Sequence, residues 1–296
     1  MNQKNRRFIL ADVFYIIMMI VPILSGLVLK ALTTPPSDGI SISGARIYFT
    51  VPMPLQDLVV TESQVNSAIV LIVLLFFCLY LTHGIKHGVW LKRHHFAEMI
   101  VEMCSSLVKN NMGEYFKAFA PFIASILALS GLSSLITLFG LYPPTSDINI
   151  IAGWAILVFC LITYYKMKCG LWVYAKSFAD PVLMAPLNII SEIATPISMA
   201  FRHYGNVLSG SVISVLVAAG LQGLSNIIFG ALPGFLGEFP FLQVGLPAIL
   251  SVYFDIFSGC LQAFIFAMLS MLYIAGGFPL ELYEKRKQKK AQKCKN

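Results

Sequence analysis

"LMAPLNIISEIATPISMAFRHYGNVLSGSVISVLVAAGL", residues 183–221, is apolar or small enough along most of its length to sit in lipid, yet it carries Arg202 near its middle. A guanidinium keeps its proton at any physiological pH. Holding one at bilayer depth costs ~2.5–3.5 kcal/mol on insertion scales. Such a charge serves ion movement or answers a counter-charge, and Glu192 and Asp255 are the acids available as structural partners. As a helix these 39 residues would run ~58 Å, about twice a ~30 Å hydrocarbon core. The segment must therefore tilt strongly, break or leave the membrane, and Pro186 and Pro196 favour a bend near its inner end.

The rest of the chain agrees with a lipid setting. Of 296 residues, 57% are hydrophobic and 12% charged, against roughly 25% charged in soluble domains. Mean hydropathy is +0.78. Apolar runs recur at Phe8–Leu29, Val65–Leu81, Phe116–Leu141, Ile148–Tyr165, Leu183–Leu221 and Leu246–Ala275. These predict six membrane helices, because lipid offers backbone groups no outside partner. One polytopic, all-α integral membrane domain follows, with the last two helices long, oblique and antiparallel across a short turn-rich loop, "ALPGFLGEFP".

Of the 21 Lys and Arg residues, 18 fall before the first span, in residues 84–117, in residues 166–176, or in the tail. The opposite side carries Arg46, with Lys30 at a span end, so the positive-inside rule puts both termini in the cytoplasm. The first apolar run is long, contains Asp12 and lacks a small-x-small cleavage site, which reads as a retained helix. Residues 1–61 thus form a membrane helix plus an outer segment, and 279–296 a basic cytoplasmic tail suited to lipid or solvent and not to nucleic acid. Six cysteines without a CxxC pair exclude a disulfide or zinc framework. His83 and His87 lack further ligands for a metal. Phe96, Ile100, Met103 and Leu107 recur at helical spacing beside charged residues and predict an interfacial amphipathic helix.

Helical spacing from Arg202 reaches Thr195 and Ser198 on one side, Asn206 and Ser209 on the other. Ser251, Asp255, Ser258 and Gln262 form a second polar stripe on the last helix. Two such stripes on neighbouring helices predict a hydrated path. If Gln262 lies level with Arg202, antiparallel register sets Asp255 opposite Ser209, ~10 Å nearer the outer surface.

"PLNIISEIATPISMAFRHYGNVLSGSV" (186–212) followed by "GCLQAFIFAMLSMLYI" (259–274) resembles subunit a of F-type ATP synthases, and "PPTSDINI" (143–150) resembles that family's outer loop. The likeness runs from about residue 62 to 276, which marks 62–278 as the core. The resemblance implies a stator channel in a bacterial cell membrane, beside a rotating c-ring, with the peripheral-stalk subunit b and lipid as further partners. It implies no nucleotide or other cofactor bound by this chain, and no catalysis of its own. The essential Arg of the family's "RxxGN" run falls on Arg202, with Gly205 and Asn206 completing the run, and the Gln of "LQAFIF" falls on Gln262. Two departures stand out. Many members carry Glu nine residues after the Arg, where this chain has Ser211, and His or Glu seven before the Gln, where it has Asp255.

On that likeness Arg202 separates two half-channels and lowers the pKa of each passing rotor carboxylate. Gly205, Ser209, Gly210 and Ser211 let a facing helix come close. Asp255 is the expected acid of the outer half-path, and Glu192, three turns inward of Arg202, that of the cytoplasmic one. The rival reading is a self-contained transporter or channel binding an anionic substrate at Arg202. A membrane-embedded enzyme would need a paired nucleophile and base, or two facing acids, and Asp255 has no such partner in the sequence pattern.

Overall fold

The computed structural model describes residues 3–33, 44–54, 57–85, 92–168, 170–171, 174, 185–229, 245, 249–250 and 252–278. The loop at 231–240, His87, Ser251 and the tail expected at 279–296 lie outside the described residues. The elements are α1 (Gln3–Thr33), β1 (Ile47–Val51), β2 (Leu58–Thr61), α2 (Glu62–Thr82), α3 (Lys92–Met112), α4 (Ala120–Leu135), α5 (Ile148–Met167), α6 (Ala185–Phe229) and α7 (Gly259–Gly276). Short 3₁₀ segments flank α4, another spans Pro144–Ser146, and a π-helical turn, Val252–Ser258, leads into α7. Six segments are long and apolar enough to cross a membrane: Ile9–Thr33, Glu62–Thr82, Glu114–Phe139, Ile148–Met167, Ala185–Ile228 and Val252–Gly276. Each overlaps one of the predicted spans, and the chain is an all-α, multi-pass membrane protein.

Helix ends are set by local chemistry. Gln64 Oε1 accepts from the Thr61 N–H at 3.4 Å at the start of α2. Asp147 caps α5 by accepting from the Asn149 N–H at 3.0 Å. The 3₁₀ turn after α4 closes on Gly140, whose φ of 73° is a left-handed conformation that favours glycine. Lys30, at the outer end of α1, donates to the Gly140 carbonyl.

The core lies among α3, α4, α5, α6 and α7, around Val108, Ile123, Val158, Met199, Phe266, Ala267, Met271 and Ile274. Helix α1 packs on α2. There Gly26 accommodates Ile69, whose Cδ1 would lie 2.7 Å from an added Cβ. At the end of this pair nearer the N-terminus Asp12 accepts from Arg93 at 2.8 Å and pairs with His83 at 2.9 Å, which ties α1 to the core through charge as well as packing.

Three features differ from the sequence reading. Helix α6 runs unbroken for 45 residues through Pro196 and on past Leu221. Proline removes one backbone donor, so the Glu192 carbonyl loses its usual helical partner while the helix continues around it. Helix α3 turns His94, Cys104, Val108 and Met112 into the protein and leaves Phe96 and Met103 exposed, so it has two apolar faces and not one. The outer segment contains a short antiparallel hairpin, with Val51 opposite Leu58 and Ile47 opposite Thr61.

Close approach of α4 and α7 depends on Gly259, where a Cβ would stand 2.6 Å from Ser134 Cβ. Gly259→Ala is expected to lower the thermal midpoint of the purified membrane protein, and Ser134→Gly in the same chain to restore part of it.

Candidate functional site

Packing between α6 and the turn leading into α7 fixes a register. Asn206 Nδ2 donates to Ser258 Oγ at 2.7 Å. One turn outward, Gly210 lies against Phe254, whose Cδ1 would be 2.9 Å from an added Cβ. The two pairs run antiparallel, and continuing them one turn inward sets Arg202 level with Gln262. Asp255 then stands opposite Ser209, as the spacing of the polar stripes predicts.

Arg202 itself is exposed, and among the described residues it makes no ion pair and no hydrogen bond. Neither acid considered as its structural partner neutralises it. Glu192 pairs with Lys166 at 2.5 Å instead. Gln262 is level with Arg202 but buried, at 5% exposure, so the two side chains do not share a surface. The same side of α6 presents Ser198 and Ser209, both exposed. Ser209 donates to the Gly205 carbonyl at 2.5 Å and Ser211 to the Leu208 carbonyl at 2.8 Å. The hydroxyls of Ser209 and Ser211 are thereby satisfied within the helix, which keeps this stretch of its surface small.

Of the apolar window that defines the α6 span only 6% is buried, against 44% for the last span. Helix α6 is therefore anchored along one narrow side. Ala155 and Ala200, with Ile151 and Tyr204, make the close contact to α5. His203 is fully buried on that anchored side, edge-on to Trp154 and Phe266. Burying His203 turns the neighbouring Arg202 outward, since adjacent helical residues point ~100° apart.

On the outer side of Arg202, a small cleft with about 20 Å³ of free space is lined by Asn206, Ser211, Asp255, Ser134, Thr137 and Pro143. That is room for about one water molecule. Asp255 lies within the π-helical turn, where the backbone is wider than an α-helix. The uniform α-spacing assumed for the second stripe is thus altered at its acid, while Ser258 keeps its place against Asn206. On the inner side a larger cleft of about 200 Å³ is lined by Lys166, Glu192, Thr195, Leu272 and Tyr273. Here Glu192 Oε1 and Thr163 Oγ1 are both buried. Tyr174 sits beside them, its phenol held above the ordinary value by burial first and then by the Glu192 charge.

The structure therefore brings Asn206, Ser211 and Asp255 together on one side of Arg202 and leaves Glu192 in a separate cleft on the other. It does not join Gln262 to either. Sequence reasoning missed Lys166, which it counted only among the cytoplasmic charges; nothing in linear spacing connects residues 166 and 192.

The family described as "ATP synthase A chain" matches residues 65–275. An "ATP synthase subunit a" of Glaesserella parasuis serovar 5 is 32% identical over 227 residues, covering 68% of this chain and 81% of the relative. That of Trichlorobacter lovleyi is 28% identical over 230 residues, covering 73% and 89%. An "ATP synthase subunit a, sodium ion specific" of Propionigenium modestum is 25% identical over 276 residues, covering 82% and 86%.

The Asn206–Ser258 contact is expected to contribute modestly. A double-mutant cycle of Asn206→Leu and Ser258→Ala, read by detergent unfolding, should give a coupling of about 0.6 kcal/mol, the average for such contacts between membrane helices.

Proposed function

The chain belongs to the ATP synthase A chain family, and on that premise we propose that it conducts a proton or sodium ion through two half-channels that meet at Arg202 beside a rotor c-ring. Ion flow then turns the ring and is coupled to ATP synthesis by other subunits. This chain performs no catalysis itself. The observation that carries the reading is Arg202: a permanent cation, unpaired among the described residues, on the exposed side of a helix whose apolar window is only 6% buried. A charge so placed is tolerable in a membrane only if something comes to meet it. A ring of carboxyl-bearing helices supplies that partner repeatedly.

Each rotor acid passing Arg202 has its ionised form favoured and gives up its ion. It is recharged on the far side of the guanidinium. Asp255, with Asn206 and Ser211, serves the outer half-path. Glu192 serves the cytoplasmic one, with Lys166 holding its carboxylate in the inner cleft, and Gln262 steadies α7 behind Arg202. Arg202 blocks direct passage between the two, so each proton crossing ~100 mV releases its ~2.3 kcal/mol only by moving the ring. Ser209 and Gly205 keep the α6 surface low enough for a facing helix to slide past. Subunit b and lipid cover other sides of the chain. The excess of basic residues on one side supports cytoplasmic termini in a bacterial plasma membrane.

Arg202→Ala is expected to abolish ATP-driven ion pumping in membrane vesicles while the complex still assembles; normal ion-driven synthesis in that variant would overturn the reading. Asp255→Asn should slow transport by about tenfold or more, on the scale of losing one positioned proton carrier. Ser211→Glu should be tolerated, since it adds a second acid to the same cleft. Purified alone in liposomes, the chain should carry no ion flux, whereas a self-contained transporter would.

A further inference from the structure

A second acid is buried on the outer side, and nothing in the reading above uses it. Glu62, the first residue of α2, is 3% exposed, and its Oε1 has no hydrogen-bond partner among the described residues. A carboxylate oxygen taken out of water without a partner is costly, and a cation is what would offset that cost. Its surroundings are polar. The Glu62 N–H donates to the Arg46 carbonyl at 2.8 Å, which lays the start of the β-hairpin over it. Tyr48 on that hairpin has its phenol raised by burial first and then by the Glu62 charge. Tyr142 is raised likewise, by burial first and then by Tyr204, Asp147 and Glu62. The charged and titratable groups around Glu62 are thus Arg46 and Tyr48 on the hairpin, Tyr142 and Asp147 on the loop before α5, and Tyr204 on α6.

Asp147 is the obvious neighbouring carrier, but its oxygens are occupied. Oδ1 accepts from the Asn149 N–H at 3.0 Å, and Oδ2 from the Ser63 hydroxyl at 2.6 Å. Its work is to cap α5 and fix the end of α2. Glu62 differs in having an oxygen to offer. The 3₁₀ turn Pro144–Ser146 packs against α2 on one side and α6 on the other. On this turn Thr145 is fully buried, and its Oγ1 also lacks a partner. Pro143, just before the turn, lines the same small cleft as Asp255, Asn206 and Ser211. Buried polar groups therefore extend from Glu62 under the hairpin, through Thr145 and Tyr142, to the cleft outward of Arg202.

We propose that Glu62 is the ion-accepting residue beneath the hairpin at the start of the outer half-path, taking the coupling cation at its unpartnered carboxylate oxygen and passing it along this turn toward Asp255. With protons the step is a transfer from hydronium to the carboxylate, leaving water and a carboxylic acid. The acid then gives that proton to the next water inward and returns to its charged form. With sodium the carboxylate exchanges water for the ion and releases it inward unchanged. The proposal rests on the half-channel reading above.

The test uses the assembled ATP synthase in liposomes, with a proton gradient in one arm and a sodium gradient in the other. In whichever arm the unmodified complex works, Glu62→Gln is expected to slow ion-driven ATP synthesis by about tenfold per assembled complex. Glu62→Asp should retain most of the rate, and the dependence on outside pH should lose its acidic limb in Glu62→Gln alone. Full speed in Glu62→Gln, with Asp255→Asn slowed, would overturn the role of Glu62 and leave the half-path intact. Full speed in Glu62→Gln, Asp255→Asn and Arg202→Ala together would overturn the half-path reading itself. If Glu62→Gln fails to assemble, Thr145→Val decides: a slowed rate supports the path through the turn, and an unchanged rate overturns it.

Discussion

A guanidinium cannot shed its charge, and lipid cannot solvate one. At Arg202 that conflict is left unresolved within the chain. The acids nearest along α6 and α7 are otherwise engaged or out of reach, and His203, one residue on, is packed away behind α6 so that Arg202 turns outward. Much of the architecture serves this arrangement. Alanines at 155 and 200 bring α5 close enough to anchor α6 along one side, and the fixed register with the turn before α7 keeps polar groups on defined sides of the charge. Hydroxyls along the helix satisfy themselves on their own backbone, so the guanidinium is the dominant polar feature of the uncovered surface.

The two clefts differ in chemistry as well as position. The inner one is roomy and holds a Lys166–Glu192 ion pair, whose charges offset each other. The outer one is lined by Asp255 with Asn206 and Ser211, and its space is scarcely larger than a water molecule. A tight, acidic outer route and a wider, charge-balanced inner one are a physical asymmetry. In the proposed rotary cycle this asymmetry lets ions be gathered on one side and released on the other.

The architecture was legible where it depended on composition and period. Six spans follow from apolar runs, and the Asn206–Ser258 register follows from two polar stripes on antiparallel helices. Pairings between distant segments were not legible. Lys166 read as one more cytoplasmic charge, and nothing in the sequence singled out Glu62, because burial is a property of the packed fold and not of local sequence. The π-helical turn around Asp255 also escaped, since a single extra residue in a turn leaves hydropathy unchanged. The unbroken passage of α6 through Pro196 was not legible either, since a proline in a helical pattern reads equally as a bend, a break or a tolerated residue.

The most direct measurement is disulfide trapping in the intact membrane complex, with single cysteines at Ser198 and Ser209, one helical turn inward and two turns outward of Arg202 on its exposed side. A stator surface beside a rotor predicts adducts from both positions to a small subunit present in many copies, and none from a cysteine at Ala155 on the anchored side. Free reaction of both positions with a lipid-soluble thiol probe in the assembled complex, and no adduct, would contradict it.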